Sequence, residues 1–159
     1  MPTQSPIFRE PVLTGRPHHL SVERDMPLPP ATVYRAWTTE IDHWFAAPGS
    51  ALITAQPNTP FFFETEYRPN PGSPVTRHPH YGRFLHLIPD QFIQLTWVTG
   101  KGGTEGAETV LTVELHPTPT GTQIRLTHSG FSDQASMERH RDAWPLVLDQ
   151  LFTAMAMRR

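Results

Sequence analysis

Six short segments between residues 51 and 128 alternate apolar and polar positions, and this run constrains the fold more than any other feature of the sequence. Each segment is rich in β-branched or aromatic residues and lies between turn-forming residues, which predicts β-strands joined by short connections. The six read ALITAQ, PFFFETEY, YGRFLHLI, QFIQLTWV, ETVLTVELH and TQIRLTH. An earlier segment, HLSVERDM, alternates from Leu20 to Arg24 and reads as a further strand. The run therefore predicts an antiparallel meander.

Helical spacing flanks these strands. The segment LPPATVYRAWTT places Val33, Tyr34 and Trp37 at helical intervals behind prolines that a first turn tolerates. A second short helix is expected at about residues 40–46. Near the C-terminus a long amphipathic helix is predicted by the spacing of Met137, His140, Trp144, Leu148, Leu151 and Met155. Because Pro145 interrupts this stripe, we expect either a kink near residues 141–145 or a main helix that begins around Asp142.

Length and proline placement predict one folded domain with an N-terminal extension. A chain of 159 residues is long enough to bury one core. Pro2, Pro6 and Pro11 oppose regular structure, so residues 1–16 are expected to form an extended arm and residues 17–159 the domain. The mixture of elements predicts an α+β fold in which the sheet covers the apolar face of the last helix.

Charge and cysteine content exclude several classes of protein. A formal net charge of −2 offers no basic field for nucleic acid or an anionic membrane. The sequence contains no Cys, which excludes disulfides, thiolate ligands and a Cys nucleophile. It has no secretory h-region and no apolar run of about 18 residues. We therefore expect a cytoplasmic protein without membrane insertion, and a homodimer remains open.

Four phrases in a fixed order resemble a known family. They are VYRAWTT with IDHWFA, YGRFLHLIPDQFIQLTW, ETVLTVEL with GTQIRLTHSGF, and HRDAWPLVLDQL. Together they resemble the activator-of-heat-shock-ATPase homologue branch of the START-like, or SRPBCC, superfamily over about residues 18–157. The resemblance implies a helix-grip fold: a curved antiparallel sheet of about six or seven strands around the long C-terminal helix, with two short helices after the first strand. It also implies a cavity between sheet and helix, which in many relatives holds a hydrophobic or aromatic small molecule.

Two features depart from the family pattern. Ala143 precedes Trp144 where the family usually has Gly, and Pro145 follows, so the helix over the cavity is expected to bend differently. The loop RPNPGSPVTRHPH, residues 68–80, is long and rich in Pro. Such a loop is either a lid or an exposed connection, and the sequence leaves both open.

Strand alternation predicts which side chains face the implied cavity. The inward sets are Phe61 and Phe63, Tyr81, Arg83 and Leu85, Leu95 and Trp97, Leu111 and Val113, and Leu126 and His128. Trp37 is expected in the core, whereas Trp44 and Phe45 either fill the core or line the cavity mouth. The candidate ligand-binding residues are therefore Trp44, Phe45, Phe61, Phe63, Tyr81, Arg83, Trp97, His128, His140 and Trp144.

Arg83, His128 and His140 would decide the chemistry of such a cavity. Two His in an apolar pocket can bind a carboxylate or a phenol, or act as general acid and base, whereas a His satisfied by backbone hydrogen bonds is the simpler interpretation of THSGF. RHPHY lacks a third metal ligand, GKGGTEG lacks the Gly-Lys-Ser/Thr of a phosphate loop, and no Gly-x-Ser-x-Gly elbow occurs. We expect no catalytic residue, no metal and no cofactor.

Three classes of function remain open. The first is a carrier or sensor of a small hydrophobic or aromatic ligand, because the implied fold supplies a cavity and the sequence supplies no catalytic set. The second is an enzyme, such as a cyclase or hydrolase, acting on an apolar or polyketide-like substrate that Arg83, His128 or His140 would have to reach. The third is an interaction domain that resembles a chaperone-ATPase activator.

Overall fold

The computed structural model describes residues 9–157, which form a curved antiparallel sheet around a long C-terminal helix. Residues 1–8 of the expected arm lie outside the described residues. In chain order the elements are β1 (His18–Met26), α1 (Pro30–Thr38), a 3₁₀ turn (Ile41–His43), β2 (Pro60–Tyr67), β3 (Thr76–Ile88), β4 (Phe92–Trp97), β5 (Thr109–Thr118), β6 (Gly121–Phe131) and α2 (Gln134–Ala156). The predicted α+β helix-grip fold is confirmed.

The sheet has six strands in the order β1-β6-β5-β4-β3-β2, and every neighbouring pair is antiparallel. Strands β2 to β6 are neighbours both in sequence and in space, as a meander requires. Strand β1 pairs with β6, so the first and last strands of the chain lie side by side. Helix α2 packs on β1 and β6 while α1 packs on β4 and β5, and both helices contribute to one core.

Helix α2 begins directly after β6 because Asp133 caps it. The carboxylate of Asp133 accepts a hydrogen bond from the backbone N–H of Ser136 at 2.7 Å, as an N-cap residue does. The helix then continues through Pro145, so it does not begin at Asp142. The side chain of Arg24 on β1 donates to the carbonyl of Pro145 at 3.5 Å and pairs with Asp149, which fixes the middle of the helix to the sheet.

The buried faces of the strands follow the predicted alternation except on β3. The predicted residues that are buried are Phe61, Phe63, Leu85, Leu95, Trp97, Leu111, Val113, Leu126 and His128. On β3, however, His80 and Phe84 are buried while Tyr81 is 50% exposed, so the prediction that Tyr81 and Arg83 face inward is wrong. A β-bulge at Leu85 inserts one extra residue into the strand. Because of this extra residue, the positions two and four residues before Leu85, which are Arg83 and Tyr81, lie on the outer face of the sheet.

Three predicted segments differ from their expected form. ALITAQ is not a strand and makes one isolated β-bridge, between Leu52 and Phe62. The expected second helix is a 3₁₀ turn of three residues without a side-chain cap, after which the chain leaves helical geometry at Trp44. The long loop spans residues 68–75 only, because β3 begins at Thr76, where its backbone pairs with Tyr67.

Trp37 lies at the centre of the core, as predicted. It is 1% exposed, and its ring contacts those of Trp44 and Trp144. Among the described residues, its indole nitrogen is the buried side-chain polar atom that lacks a hydrogen-bond partner. Within the same part of the chain, no helix has both the length and the apolar content needed to cross a membrane.

Candidate ligand cavity

An open cavity of about 580 Å³ lies between the β2–β3 hairpin, the loop that joins β4 to β5, and the first half of α2. Its volume falls within the range of roughly 300–1,000 Å³ that small-molecule sites occupy. The hairpin side is formed by residues such as Tyr67 and His80, the loop side by Thr99 and Lys101, and the helix side by residues from Arg139 to Val147. Segments far apart in sequence therefore build one site.

Three aromatic rings form the apolar wall of this cavity. The ring of Trp97, on β4, lies 5.8 Å from that of Phe45 and 5.5 Å from that of Trp144, between ring centroids. Trp97 is tilted against each of the other two rings, and both centroid distances lie within the range of roughly 4.5–7 Å of favourable aromatic pairs. Behind them Trp44 is buried, and its indole N–H donates to the carbonyl of Ala36 at 2.7 Å.

A buried hydrogen-bond chain fixes two of these elements to each other. The indole N–H of Trp144 donates to Nδ1 of His128 at 3.1 Å, so His128 must carry its proton on Nε2 when neutral. That Nε2–H then donates to the Thr109 hydroxyl at 2.7 Å, which donates to the carbonyl of Trp97 at 2.6 Å. Burial, followed by the nearby His140, lowers the pKa of His128 well below its ordinary value. This His is a neutral link between α2 and the sheet.

Two further histidines line the cavity, and each donates its Nδ1 proton to a backbone carbonyl. In His140 the acceptor is the carbonyl of Ser136, at 2.8 Å, and in His80 it is the carbonyl of His78, at 3.0 Å. Burial is the main cause that lowers the pKa of His80, to about 4, and the pKa of His140. Both imidazoles are therefore neutral at pH 7, and both hold an unprotonated Nε2.

The rim of the cavity carries two cations of different character. The guanidinium of Arg139 donates to the carbonyls of Gly102 and Gly103, at 3.0 Å each, and pairs with Glu105 at 3.2 Å. Arg139 thus holds the β4–β5 loop against α2. Lys101, at the tip of the same loop, is exposed, and within residues 9–157 it forms no salt bridge.

The structure separates the sequence-predicted ligand-binding residues into two groups. Phe45, Trp97, His140 and Trp144 line the cavity. Outside its lining lie the buried Trp44, Phe61, Phe63 and His128 and the outer-face residues Tyr81 and Arg83.

Sequence reasoning missed His80, which lies directly across the strand pair from Phe63. A strand alternation started at Thr76 would have found it, but Pro79 in RHPHY reads as a loop signal. Arg139 and Lys101 gave no local signal, because the cavity brings them together from separate elements.

A curved antiparallel sheet that grips a C-terminal helix, with an aromatic-walled cavity between them, defines a helix-grip protein of the START-like, or SRPBCC, superfamily. The chain belongs to the family described as activator of Hsp90 ATPase homolog 1-like protein, whose model matches residues 27–156. The resemblance in the four sequence phrases is thereby confirmed. Comparison with curated proteins gives no match.

Solved structures of bacterial proteins share this fold. A protein from Chromobacterium violaceum aligns with a TM-score of 0.71 at 22% identity, over 87% of this chain and 98% of its own. A protein from Mesorhizobium loti aligns with a TM-score of 0.69 at 22% identity, over 89% and 99%. An AHSA1 protein from Silicibacter pomeroyi aligns with a TM-score of 0.69 at 20% identity, over 89% and 100%. At these identities the likeness is one of fold.

Proposed function

We propose that this protein binds a small hydrophobic or aromatic molecule in the cavity, as a carrier or a sensor. The observation that carries the proposal is the aromatic wall of Phe45, Trp97 and Trp144, which borders an open volume of about 580 Å³. Apolar surface removed from water contributes roughly 25 cal/mol per Å². Because Trp97 and Trp144 are themselves only 2% and 3% exposed, a flat aromatic ligand gains affinity chiefly from burying its own surface. The neutral histidines add polar groups without adding charge.

Binding without reaction is the function that this geometry supports best. An enzyme would need a nucleophile or a proton-transfer partner near His80 or His140. Within the described residues, the hydrogen bonds of both imidazoles go to backbone carbonyls. In the same residues, no three His, Asp or Glu side chains converge as metal ligands.

Titration with the neutral fluorophore N-phenyl-1-naphthylamine tests the proposal. We expect its emission to rise and shift to the blue on binding, with saturation at about one molecule per chain, because one cavity of suitable size carries the aromatic wall. Saturation at several molecules per chain, or no change in emission, would contradict the proposal.

A matched pair of helix variants assigns that binding to the cavity. Ala143 is an exposed residue of the lining, so Ala143→Trp fills the cavity from its open side at little cost to the core. Leu146, on the same helix, is 70% exposed and lies outside the lining. We expect Ala143→Trp to abolish fluorophore binding and Leu146→Trp to preserve it, with both melting temperatures near that of the unmodified protein. Equal binding by both variants would place the ligand elsewhere.

A further inference from the structure

We propose that the cavity selects aromatic ligands that carry a hydroxyl group, the chemical class of phenols, because His80 and His140 present hydrogen-bond acceptors to it. The proposal rests on the proposed function and adds the polar group that the ligand must carry. The preference for a hydroxyl follows from which nitrogen of each imidazole carries the proton. In both His80 and His140, a backbone carbonyl at Nδ1 decides this.

The backbone of α2 fixes the tautomer of His140. A carbonyl oxygen can only accept, so the 2.8 Å contact between Nδ1 of His140 and the carbonyl of Ser136 requires the proton on Nδ1. A neutral imidazole then has a lone pair on Nε2. The ring of His140 packs against those of His128 and Phe131, with centroids 5.0 and 4.9 Å away, so its orientation is held from behind.

The backbone of β3 does the same for His80. Its Nδ1 donates to the carbonyl of His78 at 3.0 Å, which again leaves Nε2 as an acceptor. The ring stacks on Phe63 at a centroid distance of 4.8 Å and meets the edge of Trp97 at 5.1 Å. Both rings belong to the cavity lining, and within residues 9–157 neither Nε2 has a hydrogen-bond partner.

Two hydrogen-bond acceptors in one cavity favour a ligand that carries a hydrogen-bond donor and disfavour an anionic ligand. A phenol can donate to a neutral imidazole and lay its ring on Trp97 or Trp144, so the ligand keeps both its hydrogen bond and its apolar contact. A carboxylate has lone pairs only, and it meets two further lone pairs. The pKa of each ring is lowered, chiefly by burial, so protonation at pH 7 does not convert these acceptors into donors.

The cations of the rim do not overturn this preference. The guanidinium of Arg139 is already paired with Glu105 and bonded to the loop backbone. Lys101 is exposed, where an ion pair contributes little because water and salt screen it. An aromatic carboxylate that reached Lys101 would be bound at the rim and not at the histidines.

Competition between matched ligands tests the proposal. We would measure displacement of N-phenyl-1-naphthylamine by 2-naphthol, by 2-methylnaphthalene, which replaces the hydroxyl by a methyl group, and by 2-naphthoate. The selectivity ratio is the dissociation constant of 2-methylnaphthalene divided by that of 2-naphthol. We would compare this ratio between variants. The free energy of removing each compound from water is the same for every variant, so it cancels in that comparison.

Variants of His140 test its Nε2 as a hydrogen-bond acceptor. His140→Leu removes one of the two acceptors, so the selectivity ratio should fall at least about fivefold in this variant, in His80→Phe or in both, because a buried hydroxyl loses its partner. His140→Gln offers a carbonyl oxygen and should keep the ratio within about twofold of the unmodified protein. His116→Leu, at an exposed position on β5 outside the cavity, is the control and should leave the ratio unchanged.

His80→Phe removes the other acceptor, and circular dichroism melting shows whether each variant is folded. If His80→Phe does not fold, the nitrogen-15 shift of His80 on addition of 2-naphthol takes its place. A ratio that changes in neither variant overturns the proposal and leaves ligand binding intact. Tighter binding of 2-naphthoate than of 2-naphthol also overturns it and assigns recognition to the rim cations. Absence of binding by every compound overturns the proposed function itself.

Nitrogen-15 spectroscopy of the imidazoles gives a second measurement that needs no variant. We expect Nε2 of His80 and His140 to resonate as unprotonated, acceptor-type nitrogens at pH 7. Addition of 2-naphthol should shift at least one of them, and addition of 2-methylnaphthalene should not. A proton found on Nε2 of both rings would contradict the proposal.

Discussion

The three buried or half-buried histidines around the cavity differ in which nitrogen carries the proton, and single neighbouring atoms decide this. His128 is protonated on Nε2 because the indole of Trp144 donates to its Nδ1, whereas His140 is protonated on Nδ1 because it faces a carbonyl. The simpler interpretation of THSGF, a His satisfied by backbone hydrogen bonds, is wrong, because both ring nitrogens of His128 bond to side chains. The sequence could not indicate the partners, because Trp144 and Thr109 reach His128 from other elements.

Thr109 supports the neutral His128, so removing its hydroxyl should be costly. Thr109→Val keeps the shape of the side chain but leaves the Nε2–H of His128 and the carbonyl of Trp97 without the hydroxyl. We expect a loss of roughly 1–3 kcal/mol in the free energy of unfolding, measured with urea. Thr127→Val, on the opposite face of β6, is the matched control and should change it by less than about 0.5 kcal/mol. Equal losses in both variants would contradict the role given to Thr109.

The lowered pKa values predict that the protein loses stability as the pH falls. In the unfolded chain a His takes up a proton near its ordinary pKa of 6.5, but folded His80 does so only at about 4. The unfolded state therefore binds more protons below pH 6.5, which favours unfolding. For His80 this costs roughly 2 kcal/mol between about pH 6.5 and pH 5. His128 and His140 act in the same direction.

Urea unfolding at pH 7 and at pH 5 measures this loss. His80→Phe should reduce the difference between the two values, since it removes one group that must stay uncharged. The variant His116→Phe changes an exposed imidazole and should reproduce the behaviour of the unmodified protein. A pH dependence that is the same in all three proteins would exclude His80 as a cause.

Among the elements, β3 shows most clearly where sequence patterns succeed and fail. Alternation correctly predicted the inward residues on β2, β4, β5 and β6, because each of these strands keeps one register over the predicted positions. The register shift between β6 and β1 lies beyond His128. The bulge at Leu85 changes the register of β3, and no residue type marks it in the sequence. ALITAQ has strand-like composition, but a strand also needs a partner, and its backbone meets β2 at a single bridge.

Gly82 is where β3 lies too close to its neighbours for a side chain. A Cβ at this position would overlap the backbone oxygen of Thr96 and lie 2.6 Å from the ring of Phe61. We expect Gly82→Ala to lower the free energy of unfolding by roughly 1–3 kcal/mol, the usual range for overpacking. At Gly100 a Cβ would have no heavy atom within 4 Å, so Gly100→Ala is the control. A melting temperature of Gly82→Ala equal to that of Gly100→Ala would contradict this account of the strand.

At the scale of the whole molecule, the fold was predictable and the cavity only in part. The order of strands and helices follows from local patterns, which each segment carries by itself. The cavity depends on how hairpin, loop and helix meet, so its aromatic wall was predicted more completely than its polar groups. Phe45, Trp97 and Trp144 were found because large apolar residues stand out in any segment, whereas His80 and Arg139 resemble ordinary polar residues until the chain is folded.

The N-terminal arm is predicted to contribute little to the stability of the domain. The described part of it touches the sheet through an exposed pair between Glu10 and His86, at 2.9 Å, and through Leu13, which lies over Gly130. The guanidinium of Arg83 also donates to the backbone carbonyl of Arg9, at an exposed position. Exposed pairs contribute at most about 1 kcal/mol. Deletion of residues 1–14 should lower the melting temperature by less than about 5 °C, measured by calorimetry. A larger decrease would mean that the arm is part of the domain.

The four tryptophans of this chain form one continuous series of ring contacts. Centroid distances are 5.1 Å from Trp44 to Trp37, 6.1 Å from Trp37 to Trp144 and 5.5 Å from Trp144 to Trp97. Indoles at such separations exchange excitation energy, so ultraviolet light absorbed deep in the interior can be emitted at the surface of the cavity. The protein thus carries its own optical probe: the intensity and lifetime of its natural emission should change when the proposed ligand binds against Trp97, without any dye or label.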